Sequence, residues 1–367
     1  MERLFMCGLN KDARWILKYI YLPPVILFEG HVLWCFISVI RSTGELKSVI
    51  PFLGFMSLYQ PGVVSICLTL YYLESAVASF DEIRSISRNL CLQNKKFEDT
   101  VDKEAKSIVT FAYFLLLFSL VCHIQFLKPF FNNQDVQPNS WIINKYYNEY
   151  LGYAVMIATY CSHTIAAIAI LGPTNYLLNF SFHVTFQMKW LGEQIVSCLA
   201  QSDKSMSNDD YQKYIQKNIT DIVKHHVRFI RVFKTISEFQ DLGILLCSIS
   251  ALVMSIGTIF FIFTDIDPSC DRQMYTALVL MATIVCSLSI ASQKLTDATE
   301  ELWFLLYNCP WTNWSTNNKK LLLIILPCIK EPLEVSMYAF YPLNIKFISK
   351  GARILYSLAA AFLNRRL

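Results

Sequence analysis

Charge is what this sequence has least of: only 16% of its 367 residues are Asp, Glu, Lys or Arg, against about 25% in soluble domains. That shortfall argues against an ordinary water-soluble fold, and a formal net charge of +4 gives no argument for nucleic acid. Glycine is scarce as well, at 11 residues. No P-loop, glycine-rich nucleotide fingerprint, H-E-x-x-H or G-x-S-x-G run is present, so enzyme chemistry and cofactor binding have no residues to carry them. The early apolar residues are interrupted by Lys11, Asp12, Arg14 and Lys18, which leaves no clean signal-peptide core. Twelve cysteines are present but none in C-x-x-C spacing. Cys35, Cys67, Cys122, Cys161, Cys247 and Cys286 sit inside apolar runs and read as small packing hydrophobes, not as metal ligands or a disulfide scaffold.

What is abundant is apolar and aromatic surface, at 54% and 14% of the chain. A helix needs about 20 mostly apolar residues to cross a bilayer. Six runs reach that length directly, at 22–40, 51–73, 107–127, 150–171, 242–264 and 275–292. A seventh, 342–363, is punctuated by Lys346, Lys350 and Arg353. The apolar run 321–329 is too short to cross; it ends at Pro327 and Pro332 and reads as a buried or re-entrant helix.

The expected fold is therefore an all-α membrane protein with seven transmembrane helices, its N-terminus cytoplasmic and its C-terminus extracellular. Residues 1–171 would hold a short cytoplasmic N-terminus and spans one to four, and 172–241 cytoplasmic helical extensions of the fourth and fifth helices. Residues 242–293 would hold spans five and six, 294–341 a cytoplasmic anchor segment with the short helix 321–329, and 342–367 the seventh span with a short external tail.

The orientation follows from the basic residues. Segments 1–21, 74–106, 172–241 and 294–341 together carry 22 Lys and Arg, whereas the opposite connections and tail carry seven. Positive residues stay inside, so the N-terminal side is cytoplasmic, the reverse of a G-protein-coupled receptor. The sequons at Asn179, Asn218 and Asn313 then all fall inside, where they go unused. No internal repeat supports a repeat-built transporter. His225 and His226, in a basic helical stretch, read as a solvated pair.

Ionisable and aromatic groups within the spans mark a candidate site. His123 stands near the external end of the third span. Phe55 and Tyr59 lie in the second span, with Pro61–Gly62 expected to kink it beside them. Phe118 and Phe126 flank His123, Tyr153, Ile157 and Tyr160 lie in the fourth span, and Phe261 closes the fifth. An apolar cavity with a few hydroxyls suits a small, volatile, weakly polar ligand, bound at roughly micromolar strength or weaker for about ten heavy atoms.

The C-terminal part carries a more specific pattern. Gln293-Lys-Leu-Thr-Asp-Ala-Thr-Glu-Glu-Leu302 leads into Tyr307-Asn-Cys-Pro-Trp311. Lys319-Lys-Leu-Leu-Leu323, Lys330-Glu-Pro332, Tyr341-Pro-Leu343, Arg353 and Tyr356-Ser357 follow. In order and spacing this resembles the C-terminal signature of insect odorant receptors, whose seven spans have the same inverted orientation. Ile348 stands where that family usually has Phe. The related gustatory receptors, with Thr-Tyr and a terminal Gln-Phe, fit less well, because here Leu355 precedes Tyr356 and Phe362–Leu363 fill the last pair.

The resemblance implies a ligand-tuning subunit, not the longer Orco-type co-receptor. It implies a tetramer with co-receptor subunits, a non-selective cation pore lined by the last helix, and a place in the plasma membrane of a sensory dendrite. At about 100° per residue, Lys346, Lys350 and Arg353 share one stripe of that helix, and Leu355, Ala359 and Phe362 share another. A cation pore cannot favour the basic stripe. The apolar stripe is the expected gate, and the basic one is expected to turn towards Asp297, Glu300 and Glu301.

Overall fold

A computed structural model describes residues 95–125, 148–199, 208–264, 268–338 and 341–366, with scattered helical positions between 23 and 82. The continuous part runs α1 (Lys95–Gln125), α2 (Glu149–Gln194), α3 (Asn208–Thr264), α4 (Pro268–Tyr307), α5 (Thr316–Lys330), β1 (Ser336–Met337), β2 (Tyr341–Pro342) and α6 (Ile345–Arg366). A π-turn, Ile195–Leu199, extends α2, and a 3-10 turn, Trp311–Asn313, separates α4 from α5.

Local chemistry sets several of these boundaries. Asn148 caps α2 by accepting the Leu151 N–H at 3.0 Å, and Ser315 caps α5 by accepting that of Asn318 at 3.4 Å. Asn344 does the same for α6, accepting from Phe347 N at 3.1 Å. Asp209 and Asp210 place negative charge in the first turn of α3, where the helix dipole favours it.

Helices α2, α3 and α4 have 46, 57 and 40 residues, far more than the 20 or so that cross a bilayer. Among the described residues, Asp102–Val121, Gln240–Ile259 and Leu278–Tyr307 are long and apolar enough to do so. The stretch 172–194 is continuous with the fourth span, and 208–241 is continuous with the fifth.

Much of the core lies in these continuations. Along α2 and its π-turn, Leu177, Phe180, Val184, Met188, Leu191 and Ile195 are buried, and Ile215, Ile219, Ile222, Phe229 and Ile236 of α3 belong to the same buried cluster. Their spacing of three, four and seven residues is one helical face. Each such side chain contributes about 1.5–3 kcal/mol by leaving water. The span of α1 instead leaves Phe114, Leu117 and Val121 exposed, as expected where lipid, not protein, supplies the apolar surroundings. Helices α2 and α4 approach closely: a Cβ built on Gly192 would lie 2.9 Å from Leu305 Cδ1.

Two boundaries differ from the sequence expectation. α5 starts at Thr316 and runs through Pro327 to Lys330 instead of spanning 321–329. Pro327 lacks the N–H that would bond one turn back, but both it and Leu323 sit on the outward face. The outer connection expected over 265–274 is mostly helical, because α4 begins at Pro268.

Candidate functional site

The candidate ligand residues fall unevenly on this frame. Phe55, Tyr59 and Phe126 lie outside the described residues, as do the side chains of His123, Tyr153, Tyr160 and Phe261, whose backbones are helical. Phe118 is half-buried on α1. It stacks on Phe114 at 5.9 Å, which stacks on Phe111 at 6.4 Å. The one-turn spacing of these three rings makes the ladder legible in sequence, although only Phe118 was singled out. Ile157 lies on α2, 43% exposed, and α2 packs against α1. The structure thus brings the helices carrying Phe118 and Ile157 together.

A second constellation lies at the cytoplasmic end of α4, inside the run 293–302. Thr299 Oγ1 donates to the Thr296 carbonyl at 2.8 Å and accepts the Leu333 N–H at 3.2 Å. Thr296 Oγ1 donates to the Ser292 carbonyl at 3.1 Å and to that of Leu333 at 3.4 Å. Both backbone groups of Leu333 are therefore tied to α4. Beyond it, Leu343 N donates to the Val335 carbonyl at 2.8 Å, and β1 pairs antiparallel with β2. Val335, Met337 and Leu343 are buried. The link from α5 to α6 is thus clamped to α4, and Tyr338 at its tip has φ of 50°.

The far end of this anchor is held by Gln212 at the start of α3. Its Nε2 donates to the Asn313 carbonyl at 3.1 Å, and its Oε1 accepts Ser315 N at 2.7 Å and Asn318 Nδ2 at 3.0 Å. No sequence signal singled out Gln212, because the pairing is set entirely by tertiary proximity.

His225 and His226 are not a solvated pair. His226 is 5% exposed, and His225 lies between Trp190 at 5.5 Å and Phe229 at 4.9 Å. Basic neighbours suggested a wet face, but His225 packs against Trp190 of α2 and the His226 ring is buried. Burial pushes His226 down to about 4, and burial, Arg228 and His226 together push His225 to about 4. Arg228 itself reaches Glu82 at 2.6 Å. Burial also pushes the Cys309 thiol up to about 11, and its Sγ donates to the Leu306 carbonyl at 2.9 Å.

On α6, Leu355 and Ala359 are half-buried, while the Phe362 side chain lies outside the described residues. Arg353 and Ser357 are exposed, and Tyr356 is 77% exposed. Lys350 does not reach the acids of α4. Its Nζ lies 4.7 Å from the Tyr341 ring centroid, a nearer partner on the adjoining strand that a lysine arm covers at little cost. Asp297 takes its hydrogen bond from Gln293 Nε2, at 2.7 Å. Among the described residues no group of three or more His, Cys, Asp and Glu could hold a metal.

A family model described as 7tm Odorant receptor matches residues 51–356. In fold the chain is similar to the insect olfactory receptor OR5 from Machilis hrabei, with a TM-score of 0.76 and 11% identity over 96% of this chain and 91% of that one. The structure of that receptor in complex with eugenol matches with a TM-score of 0.73 and 11% identity, over 93% and 87% of the two chains. No curated sequence matches the chain.

Proposed function

Because the chain belongs to the 7tm odorant receptor family and is an all-α membrane protein of seven transmembrane helices, we propose that it is a ligand-tuning subunit of a heteromeric, ligand-gated, non-selective cation channel. The observation that carries this is the joint one of family match and fold: 306 residues fit the odorant receptor pattern, and the chain follows a solved olfactory receptor nearly end to end. The match lies with the odorant branch, which favours it over the gustatory reading.

The ligand in this reading is a small, weakly polar volatile. The eugenol complex of the structural relative supports that class, as does the aromatic ladder Phe111–Phe114–Phe118. Binding would involve Phe118 and Ile157, with Phe55, Tyr59, His123, Phe126, Tyr153, Tyr160 and Phe261. The N-terminus lies inside by the charge asymmetry. The partner is an Orco-type co-receptor in a tetramer at the plasma membrane of a sensory dendrite.

The exposed apolar face of α5, with Leu323 at 67% and Ile324 at 68% exposure, supports subunit contact in the cytoplasmic anchor 294–341, since isolated patches of this kind mark interaction surfaces. Gating falls to α6, with Leu355, Ala359 and Phe362 closing the path by dewetting. The clamp at Leu333 then links α4 to the gate helix.

Expression with the co-receptor should give odour-evoked cation current, and expression alone should not. Silence across a broad panel of volatiles, with the protein at the cell surface, would overturn the assignment.

A further inference from the structure

The basic stripe of α6 is not answered by charge within the fold. Lys346, Lys350 and Arg353 are all exposed, and at about 100° per residue they share one face over the first turns of the helix. Among the described residues none of the three makes an ion pair, although Asp297, Glu300 and Glu301 on α4 and Glu331 and Glu334 in the link lie at the same end of the molecule. The Lys350 ammonium lies 4.7 Å from the Tyr341 ring centroid, and that ring lies 5.8 Å from Phe347. These contacts engage the lysine arm but bring no negative charge to it.

Depth decides what the stripe meets. Thr296 and Thr299 of α4 hold Leu333, and Leu343 N donates to the Val335 carbonyl, so α6 begins close to the level of those two threonines. They stand beyond Ser292, where the apolar run of α4 ends, by about 6–10 Å on the cytoplasmic side at 1.5 Å per residue. Lys346 therefore lies in the headgroup layer, with Lys350 about 6 Å and Arg353 about 10 Å nearer the hydrocarbon. A long basic side chain at that height reaches back to the phosphates. The 22 residues of α6 measure about 33 Å, close to the bilayer's apolar thickness of about 30 Å, so α6 enters the membrane within its first turns. Tyr338, which is exposed, and Tyr341, half-buried, stand at its foot, where the membrane interface favours tyrosine.

A positive stripe along the ion path would oppose cations, and a cation left facing hydrocarbon is costly. The phosphate layer of the cytoplasmic leaflet, which carries the anionic lipids, supplies the missing charge at this depth.

We propose that Lys346, Lys350 and Arg353 bind the headgroup of an anionic phospholipid of the cytoplasmic leaflet, whose phosphate oxygens accept hydrogen bonds from the two ammonium groups and the guanidinium. The planar fork of Arg353 suits one phosphate, and the two lysines neutralise the remaining charge. The acyl chains run alongside the helix into the bilayer, so the lipid ties the foot of α6 to the leaflet. This site goes beyond the channel reading and needs only that α6 enters the membrane at its Lys346 end.

The test titrates the full-length chain, in an uncharged detergent, against a fluorescent dioctanoyl phosphatidylinositol bisphosphate and reads polarisation. Lys346→Gln with Lys350→Gln and Arg353→Gln should weaken binding about tenfold or more. Arg353→Gln alone should weaken it several-fold, and Arg353→Lys less. Lys213→Gln with Lys217→Gln and Lys320→Gln removes equal charge at the far end of the anchor, and should change binding less than about twofold because it lies well beyond the screening length. Unlabelled dioctanoyl phosphatidylserine should displace the probe and dioctanoyl phosphatidylcholine should not. Soluble inositol trisphosphate should displace it about tenfold less well than the unlabelled lipid, lacking acyl chains to bury.

An unweakened triple variant of α6 would overturn the site, as would an equal loss in the distal triple variant, which would reduce binding to net charge. Displacement by inositol trisphosphate as good as by the lipid would overturn the lipid as its occupant. A size-exclusion profile and melting temperature matching wild type establish that each variant is folded. Because binding is read without current, its failure is distinct from failure of the channel reading.

Discussion

Asn318 and Gln212 are 106 residues apart and joined twice: Asn318 Nδ2 donates to the Gln212 carbonyl at 2.9 Å and to its Oε1 at 3.0 Å. Asn318 is 2% exposed. One buried amide therefore fastens the start of α3 to the first turn of α5, and removing it leaves the carbonyl and Oε1 of Gln212 short of a donor. Asn318→Ala should lower stability by about 1–3 kcal/mol, read as a fall in the melting temperature of the detergent-solubilised protein. Gln212→Ala should cost a similar amount, and the double substitution less than the two combined. Strict additivity would show that the two residues act independently.

Thr299 holds the Leu333 N–H while Thr296 reaches the Leu333 carbonyl. Thr299→Val keeps the shape and removes the hydroxyl, which should loosen the α5–α6 link from α4. Maximal odour-evoked current per receptor at the surface should fall several-fold with little change in half-maximal concentration. Thr299→Ser, which retains the hydroxyl, should recover most of it. A current loss that merely tracks surface abundance would reduce Thr299 to a structural role.

The buried imidazoles give stability a pH dependence of defined sign. His225 and His226 fold as neutral rings held down to about 4, while in the unfolded chain they titrate near 6.5. Their contribution is complete above about pH 6.5 and is lost as pH falls towards about 4. From pH 7.5 to pH 5, His226 alone should withdraw about 2 kcal/mol. His226→Gln, neutral throughout, should flatten that slope. An unchanged slope in the variant would mean the ring is charged or solvated in the folded protein.

Phe118 is the candidate ligand residue best defined by the geometry, since it ends the stacked series from Phe111. Phe118→Ala should raise the half-maximal odorant concentration about tenfold or more, because a ring in contact with a small ligand contributes at least about 1.4 kcal/mol of its affinity. Phe118→Leu should fall between. Leu117, 63% exposed on the neighbouring face, serves as control, and Leu117→Ala should leave the response unchanged.

Along α6 the question is which stripe meets the ions. Leu355→Ser should wet a gate closed by apolar side chains and raise the current in the absence of odorant, as should Ala359→Ser to a lesser degree. Tyr356→Ser, on the exposed side, should not. If Tyr356→Ser leaks and Leu355→Ser does not, the pore runs along the other face of the helix.

The sequence by itself determined the class of solvent and the element type. Too little charge, apolar runs of bilayer length and a one-sided distribution of Lys and Arg are properties of composition and order. They fix helices in lipid because an unpaired backbone there has no alternative partner. The C-terminal pattern was likewise legible, since it is a linear spacing.

Tertiary structure decided what the pattern residues do. Thr296 and Thr299 look like ordinary helical hydroxyls until Leu333 is folded back on them. Lys350 finds Tyr341 instead of an acid because the hairpin brings that ring within reach. His225 and His226 looked wet because their sequence neighbours are basic, yet His225 packs against Trp190 of α2 and His226 is buried. Each of these depends on long-range proximity, which helical periodicity does not encode: a helix fixes which residues share a face, while only packing decides whether that face meets protein, water or lipid.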